Sequence, residues 1–385
     1  MKLISDCIGG NFKLSEVSGS TIRGCQEIRD TTEWWFHWRF QLGELVPGER
    51  WRVEFTDGEV VGLFGPAAKF GGAPWSYLGK ASRLSGSAFE FDVPSDCHSA
   101  EFAFSVPYDP SDWQTFCESY KHLPFLLTGI LCHTPKDRDV PFLQIGREDA
   151  HGMMVLTARH HACETTGNYL LEGILENFLS RDIPLLYPVL QRYKLFVVPF
   201  MDMDGVVDGD QGKSRRPHDH NRDYTDNPIY ASVAALQEAV RNQRDLIALD
   251  CHSPDKWGGC HNHALLVRPD NPEAAAKVAL FGQELRNTCR GQSPEQCLLY
   301  DQLWDKRLQT DWDCNYLTDS QLGELRGRVS TNCSNYMVRQ GARLACSVEI
   351  PYFGTTGNPS NPDNIRSLGR LLGLSLEHYI MCVED

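Results

Sequence analysis

The sequence predicts an all-β sandwich over residues 1–110, followed by an α/β domain with a mixed sheet over residues 111–385. Three observations carry this expectation. The first hundred residues hold short alternating runs separated by turn residues. From about Pro107 onward, apolar strand-like runs alternate with stretches of helical periodicity, the grammar of an α/β domain. The length of 385 residues, with 41% hydrophobic and 23% charged residues, suits two soluble globular domains with sizeable cores.

In chain order, Trp34-Trp35-Phe36-His37-Trp38-Arg39-Phe40 alternates, with Phe36, Trp38 and Phe40 on one face and His37 and Arg39 on the other. Similar runs follow at Trp51–Phe55, Val60–Phe64, Phe89–Val93 and Glu101–Val106, divided by breakers such as Gly65-Pro66 and Gly71-Gly72-Ala73-Pro74. Evenly spaced short strands of this kind suit a sandwich. Beyond Pro107-Tyr108-Asp109-Pro110, strands are expected at Met153–Ala158, Leu195–Phe200, Leu246–Asp250, Ala264–Val267 and Ala345–Ile350. Helices are expected at Thr166–Leu179, Asn271–Arg286 and Asn364–Ile380, the last with Ile365, Leu368, Leu372 and Leu376 at helical spacing.

Composition excludes some partners. A net charge of −14 argues against nucleic acid or an anionic membrane. The apolar stretch around Phe125–Cys132 is far short of a membrane span. The first residues, Met1-Lys2-Leu3-Ile4-Ser5-Asp6-Cys7, show no apolar signal core, and the fourteen cysteines form no C-x-x-C pair. Reduced thiols in a cytoplasm are the expectation.

Four pieces carry chemistry. His161 and Glu164 stand three residues apart just beyond the run 153–158, where a strand gives way to a helix. That spacing sets an imidazole beside a carboxylate, as two ligands of one metal require, although about one chance His-x-x-Glu is expected in such a chain. His252 closes the apolar run Leu246–Leu249, and the C-terminal end of such a strand opens on the crevice where α/β sheets bind ligands. Asn221-Arg222 offers an amide beside a planar guanidinium fork that can grip a carboxylate at two points. Glu349 lies within the apolar run Ser347-Val348-Glu349-Ile350, where a carboxylate is costly without a partner or a task. Two histidines and a glutamate on zinc leave a position for water, a further glutamate can move its proton, and an arginine can anchor a free carboxylate. Together these are the parts for cutting an amide next to a C-terminal carboxylate.

On His161-Ala162-Cys163-Glu164, Asn221-Arg222, His252-Ser253 and Glu349, the chain resembles the zinc metallocarboxypeptidases of the carboxypeptidase A type. Trp34–Trp38, Trp75-Ser76-Tyr77 and Val106-Pro107-Tyr108 look like N-terminal landmarks of the cytosolic carboxypeptidase subfamily, which places a β-sandwich before a mixed-sheet catalytic domain. The resemblance implies one zinc ion per chain held by His161, Glu164 and His252, with Glu349 as general base. It implies Asn221 and Arg222 as the clamp on the substrate carboxylate, and the C-terminus of a peptide or protein as the partner. Met203-Asp204-Gly205-Val206 and Gly209-Asp210-Gln211-Gly212-Lys213 depart from the subfamily pattern. The basic residue that stabilises the oxyanion is therefore one of Lys213, Arg215 and Arg216, with Arg216 preferred, and Tyr336 is the candidate substrate cap. A preference for acidic C-terminal residues is a further expectation, with Arg339 or Arg343 as the source of a basic pocket.

Rival readings are an N-acyl amino acid deacylase of the aspartoacylase type, which shares the His-x-x-Glu and Asn-Arg elements, and a zinc-bearing binding protein without turnover. Cys163 and Cys251 flank expected ligands, and His160 competes with His161, though at a spacing of four to Glu164. His261 and His263 could line the cleft. Gly209–Ser214 is no phosphate loop, because Val207 stands where that motif needs glycine.

Overall fold

The computed structural model describes residues 1–29, 31, 35–180, 188–307 and 330–382. Alternating apolar residues near the N-terminus build two five-stranded sheets. One orders β1 (Lys2–Ile4), β4 (Arg39–Gly43), β10 (Ala100–Ala103), β6 (Ala67–Phe70) and β7 (Ser76–Tyr77). The other orders β2 (Lys13–Ser18), β3 (Thr21–Cys25), β5 (Arg50–Phe55), β9 (Ala88–Asp92) and β8 (Arg83–Ser85). Phe40 and Phe102 from the first sheet meet Val53, Phe55 and Phe89 from the second around Trp38. Trp38 stacks on Phe89 at 5.9 Å, and its indole N–H donates to the Val60 carbonyl at 2.9 Å. The bond satisfies the indole's polar atom within this aromatic core.

The aromatic run after Trp34, itself outside the described residues, differs from its expected strand. Residues 35–38 are irregular and β4 begins only at Arg39. Phe36, Trp38 and Phe40 enter the core as the alternation requires, yet His37 and Arg39 on the opposite face are buried as well. That face is covered too: the His37 N–H donates to Gln211 Oε1 of the second region at 2.8 Å, and Arg39 pairs with Asp109 at 2.8 Å. The run at 60–64 forms no strand, only a bridge between Leu63 and Gly65.

The second region is built on an eight-stranded mixed sheet. Its order is β11 (Leu126–His133), β12 (Asp139–Ile145), β14 (Tyr193–Val198), β13 (Gly152–Ala158), β15 (Leu246–His252), β18 (Leu344–Glu349), β16 (Leu265–Arg268) and β17 (Lys306–Arg307). The central strands β14, β13, β15 and β18 run parallel, with antiparallel pairing at β11, β12 and between β16 and β18. β13, β15 and β18 are buried along their whole length, which explains their near-continuous apolar runs. The edge strand β11 occupies most of the apolar stretch at Phe125–Cys132, which is not among the expected strands, and with β12 it has mixed exposure.

Helices Thr166–Leu179 and Pro362–Cys382 pack together on one face of this sheet. They approach closely at Gly173 and Gly369, where an added Cβ would stand 2.1 Å from the Arg366 carbonyl oxygen and 2.4 Å from that of Leu170. Helices Ala231–Val240 and Cys333–Arg339 cover the other face. From β13 the chain crosses to β14 on one side and later returns to β15 on the other. Such a reversal leaves a crevice at the C-terminal strand ends.

Candidate metal centre and active site

That crevice receives the residues following β13, the last residue of β15 and the last residue of β18. His252 and Glu349 are register partners on adjacent parallel strands, so their side chains reach the crevice together. After β13, Arg159 adopts a left-handed backbone (φ 60°), unusual for a side-chain-bearing residue. Its buried guanidinium holds the turn by donating to the carbonyls of Ala162 (2.8 Å) and Tyr108 (3.0 Å). The turn sends the two adjacent histidines in different directions. His161 Nδ1 lies 2.9 Å from Glu164 Oε1, whereas His160 Nδ1 lies 2.8 Å from Asp250 Oδ1, with its Nε2 2.6 Å from the Tyr224 hydroxyl.

His252 completes the first group, with Nδ1 2.6 Å from Glu164 Oε2. One ligand atom each from His161, Glu164 and His252 lies within 4.8 Å of the others. The donor chemistry fits zinc, since two imidazole nitrogens and one carboxylate leave a fourth tetrahedral position open. Both histidines face the glutamate through Nδ1, so a metal-binding form carries its proton on Nε2. For His252, that Nε2 lies 2.6 Å from Asp250 Oδ2, a carboxylate placed to accept the proton's hydrogen bond and fix the tautomer. Asp219 Oδ2 stands 3.7 Å from His161 Nε2. Cys163 and Cys251 stay outside this donor group, and burial pushes the Cys163 thiol up to about 11.

Glu164 is 1% exposed and also pairs with Lys213, whose Nζ is 2.7 Å from Oε1. Burial disfavours its charge, but Lys213, His161 and His252 outweigh burial and hold the carboxyl well below its usual range. Burial likewise opposes charging of His252, and Asp250 and Glu164 outweigh it to hold the imidazole well above its usual range. Glu349 is different. Burial raises its carboxyl to about 7, with His252 and Lys213 pulling down and Glu164 pushing up. Its Oε2 and His161 Nε2 are buried atoms without a hydrogen-bond partner among the described residues. Such atoms are expensive unless a further group completes them.

The remaining expected residues divide. Arg215 is buried and committed to Asp202 and, at 2.8 Å, to Asp210, while Arg216 is exposed. Asn221 is buried, its Oδ1 accepting from the Cys333 N–H at 2.8 Å and its Nδ2 donating to Asp250 Oδ2 at 3.3 Å. Arg222 is exposed beside it, donating to the Asn221 carbonyl at 2.8 Å. Tyr336 packs its ring 5.4 Å from that of Tyr224, beneath Arg339. Arg343 pairs with Asp245 at 3.0 Å, one residue before the start of both β15 and β18 and so at the end of the sheet remote from the crevice. Arg339 spends its Nη2 on the Tyr224 carbonyl at 3.1 Å. His263 stacks on Trp304 at 3.9 Å.

Asp250 has no role in the sequence pattern beyond ending an expected strand, although residues 250 and 252 of one strand share a face.

Residues 116–249 match the family model described as zinc carboxypeptidase, a span that includes His161, Glu164, Asn221 and Arg222 and stops short of His252 and Glu349. Cytosolic carboxypeptidase 6 of Caenorhabditis elegans is 28% identical over 189 residues, 45% of this chain and 40% of that one. Cytosolic carboxypeptidase 3 of Mus musculus is 30% identical over 146 residues, 35% of this chain and 14% of that one. The chain thus spans well under two thirds of the length of these relatives. Among solved structures, a metallo-carboxypeptidase of Burkholderia cenocepacia aligns over 99% of both chains with a TM-score of 0.76 and 16% identity. One of Pseudomonas aeruginosa, in complex with (2-guanidinoethylmercapto)succinic acid, aligns over 99% of both with a TM-score of 0.76 and 18% identity. These two share the fold, including the strand-rich N-terminal region. Residues 116–249 are thus similar to the zinc carboxypeptidase family, the chain is similar in part to its cytosolic carboxypeptidases, and as a whole it shares the fold of solved metallo-carboxypeptidases.

Proposed function

We propose that the chain is a zinc-dependent metallocarboxypeptidase that hydrolyses the C-terminal peptide bond of peptides or proteins. The observation that carries this reading is the register of His252 with Glu349. It sets a buried carboxylate with a free oxygen beside a donor set of two histidines and one glutamate. His161, Glu164 and His252 would hold one zinc ion. Bound there, zinc lowers the pKa of a water and polarises the scissile carbonyl.

The chain's own residues supply the rest. Glu349 takes the water's proton on Oε2 and delivers it to the leaving amine nitrogen. Lys213, with Nζ beside Glu164, faces the developing oxyanion, a role the exposed Arg216 is poorly placed to fill. Arg222 grips the terminal carboxylate at two points, and Asn221, tied to Asp250 and Cys333, steadies the loop carrying it. Tyr336, packed on Tyr224, takes no part.

Acidic C-terminal side chains are preferred in this reading, with the exposed Arg216 as the basic partner; Arg339 and Arg343 are spent elsewhere. A cytoplasmic location accords with the free thiols among the described residues and with the relatives' names. No described helix is long and apolar enough to cross a membrane.

Metal analysis followed by a screen for C-terminal residue release tests the proposal. Stoichiometric zinc and release of single residues from short peptides are expected. Turnover confined to N-acyl amino acids would instead identify a deacylase, and zinc without turnover a binding protein. Peptides ending in Glu should be cut faster than those ending in Leu or Phe; the opposite order removes the acidic preference.

A further inference from the structure

The N-terminal sandwich reaches into this site. Trp35 lies between its core and the crevice, with its ring centroid 5.6 Å from Lys213 Nζ, the atom that contacts Glu164 at 2.7 Å. The segment is clamped in place. Gln26 donates to the Trp35 carbonyl at 3.0 Å, while Gln211 accepts from the His37 N–H at 2.8 Å and donates to the His37 carbonyl at 2.7 Å. The same domain holds the chain after Glu349: Tyr77 donates to the Tyr352 carbonyl at 2.7 Å, and Phe36 packs edge-on against the Tyr352 ring at 5.5 Å. Contacts from the sandwich thus reach Lys213 and the chain three residues beyond Glu349.

Within this fixed frame, the Trp35 indole N–H is buried and has no acceptor among the described residues. Its counterpart Trp38, in the sandwich core, spends the same atom on the Val60 carbonyl. Buried indole N–H groups ordinarily find a partner, so an unpaired one on a ring that packs against Lys213 calls for an acceptor supplied by a ligand.

We propose that Trp35 is a substrate-binding residue contributed by the N-terminal domain, its indole N–H donating to the substrate carbonyl immediately upstream of the scissile one. The proposal rests on the carboxypeptidase reading above. In that reading only one residue lies beyond the cut bond, and its carboxylate is taken by Arg222. The scissile carbonyl would face Lys213. The next backbone acceptor is the upstream carbonyl, and Trp35 flanks Lys213.

The test compares an N-benzoylglycyl amino acid, which has the upstream carbonyl, with an N-(3-phenylpropanoyl) amino acid of the same C-terminal residue, which lacks it. Trp35→Phe keeps a ring and removes the N–H. The ratio of kcat/KM for the first substrate over the second should fall roughly tenfold, the size of one lost hydrogen bond. The change should lie mainly in KM, with zinc content at the wild-type level. In the Glu349→Gln background, calorimetry should show the same selective weakening without turnover. A ratio at the wild-type value overturns the proposal, including the case in which both substrates slow together, as a purely structural role would produce. Wild-type protein that cleaves neither substrate, or only the N-(3-phenylpropanoyl) amino acid, overturns the carboxypeptidase reading and this inference together. Wild-type turnover with an unchanged ratio overturns only the role of Trp35.

Discussion

The two ends of the central parallel strands bury carboxylates in opposite ways. At the N-terminal ends, Asp245 pairs with Arg192 at 2.8 Å and with Arg343 at 3.0 Å, and its cations stay partly in solvent. At the C-terminal ends, Glu164, Asp250 and Glu349 share His161, His252, His160 and Lys213, and Glu349 Oε2 is left over. The same strands and the same polypeptide direction produce a closed ion cluster at one end and an incomplete one at the other. A cluster whose atoms are all matched serves stability. One with buried, unmatched atoms is organised around something that must still arrive.

Substitutions can break this contrast. Lys213→Ala should lower kcat roughly 10²- to 10³-fold, the usual cost of an oxyanion donor, and leave zinc bound; Lys213→Arg should recover part of it in steady-state assays. Asp250→Asn should weaken zinc binding roughly 10- to 100-fold in chelator competition, because His252 loses the carboxylate that fixes its tautomer. The pH profile should show an acid limb. Glu349 must be ionised to act as base, and its carboxyl is raised to about 7 in the metal-free protein, so kcat/KM should fall as pH drops below neutrality. A bound divalent cation favours the ionised form, so the limb of the zinc enzyme should lie below 7. At the other end, Asp245→Asn should cost only about 1–2 kcal/mol in chemical denaturation, since Arg192 and Arg343 can rehydrate, and zinc affinity should hold.

The contrast also explains what the chain made legible. His161 and Glu164 are near neighbours in sequence, and His252 and Glu349 end buried strands whose apolar runs stand out, so local pattern brought all four into view. Choosing between His160 and His161 needed the left-handed turn at Arg159, which no periodicity announces. Which of Lys213, Arg215 and Arg216 comes beside Glu164 depended on the path of an irregular loop, in which Arg215 is drawn inward by Asp202 and Asp210. The aromatic run after Trp34 read as a strand because its alternation is real. On the other face, His37 meets a loop about 170 residues further along the chain and Arg39 meets Asp109 about 70 residues on.

Glu349→Gln is the most direct test of the central claim. It is nearly isosteric and leaves His161, Glu164 and His252 untouched. Zinc content measured beside single-residue release from a short peptide should show full occupancy with kcat down roughly 10²- to 10⁴-fold, the range general-base removal produces. Wild-type turnover in the zinc-loaded variant would contradict the account.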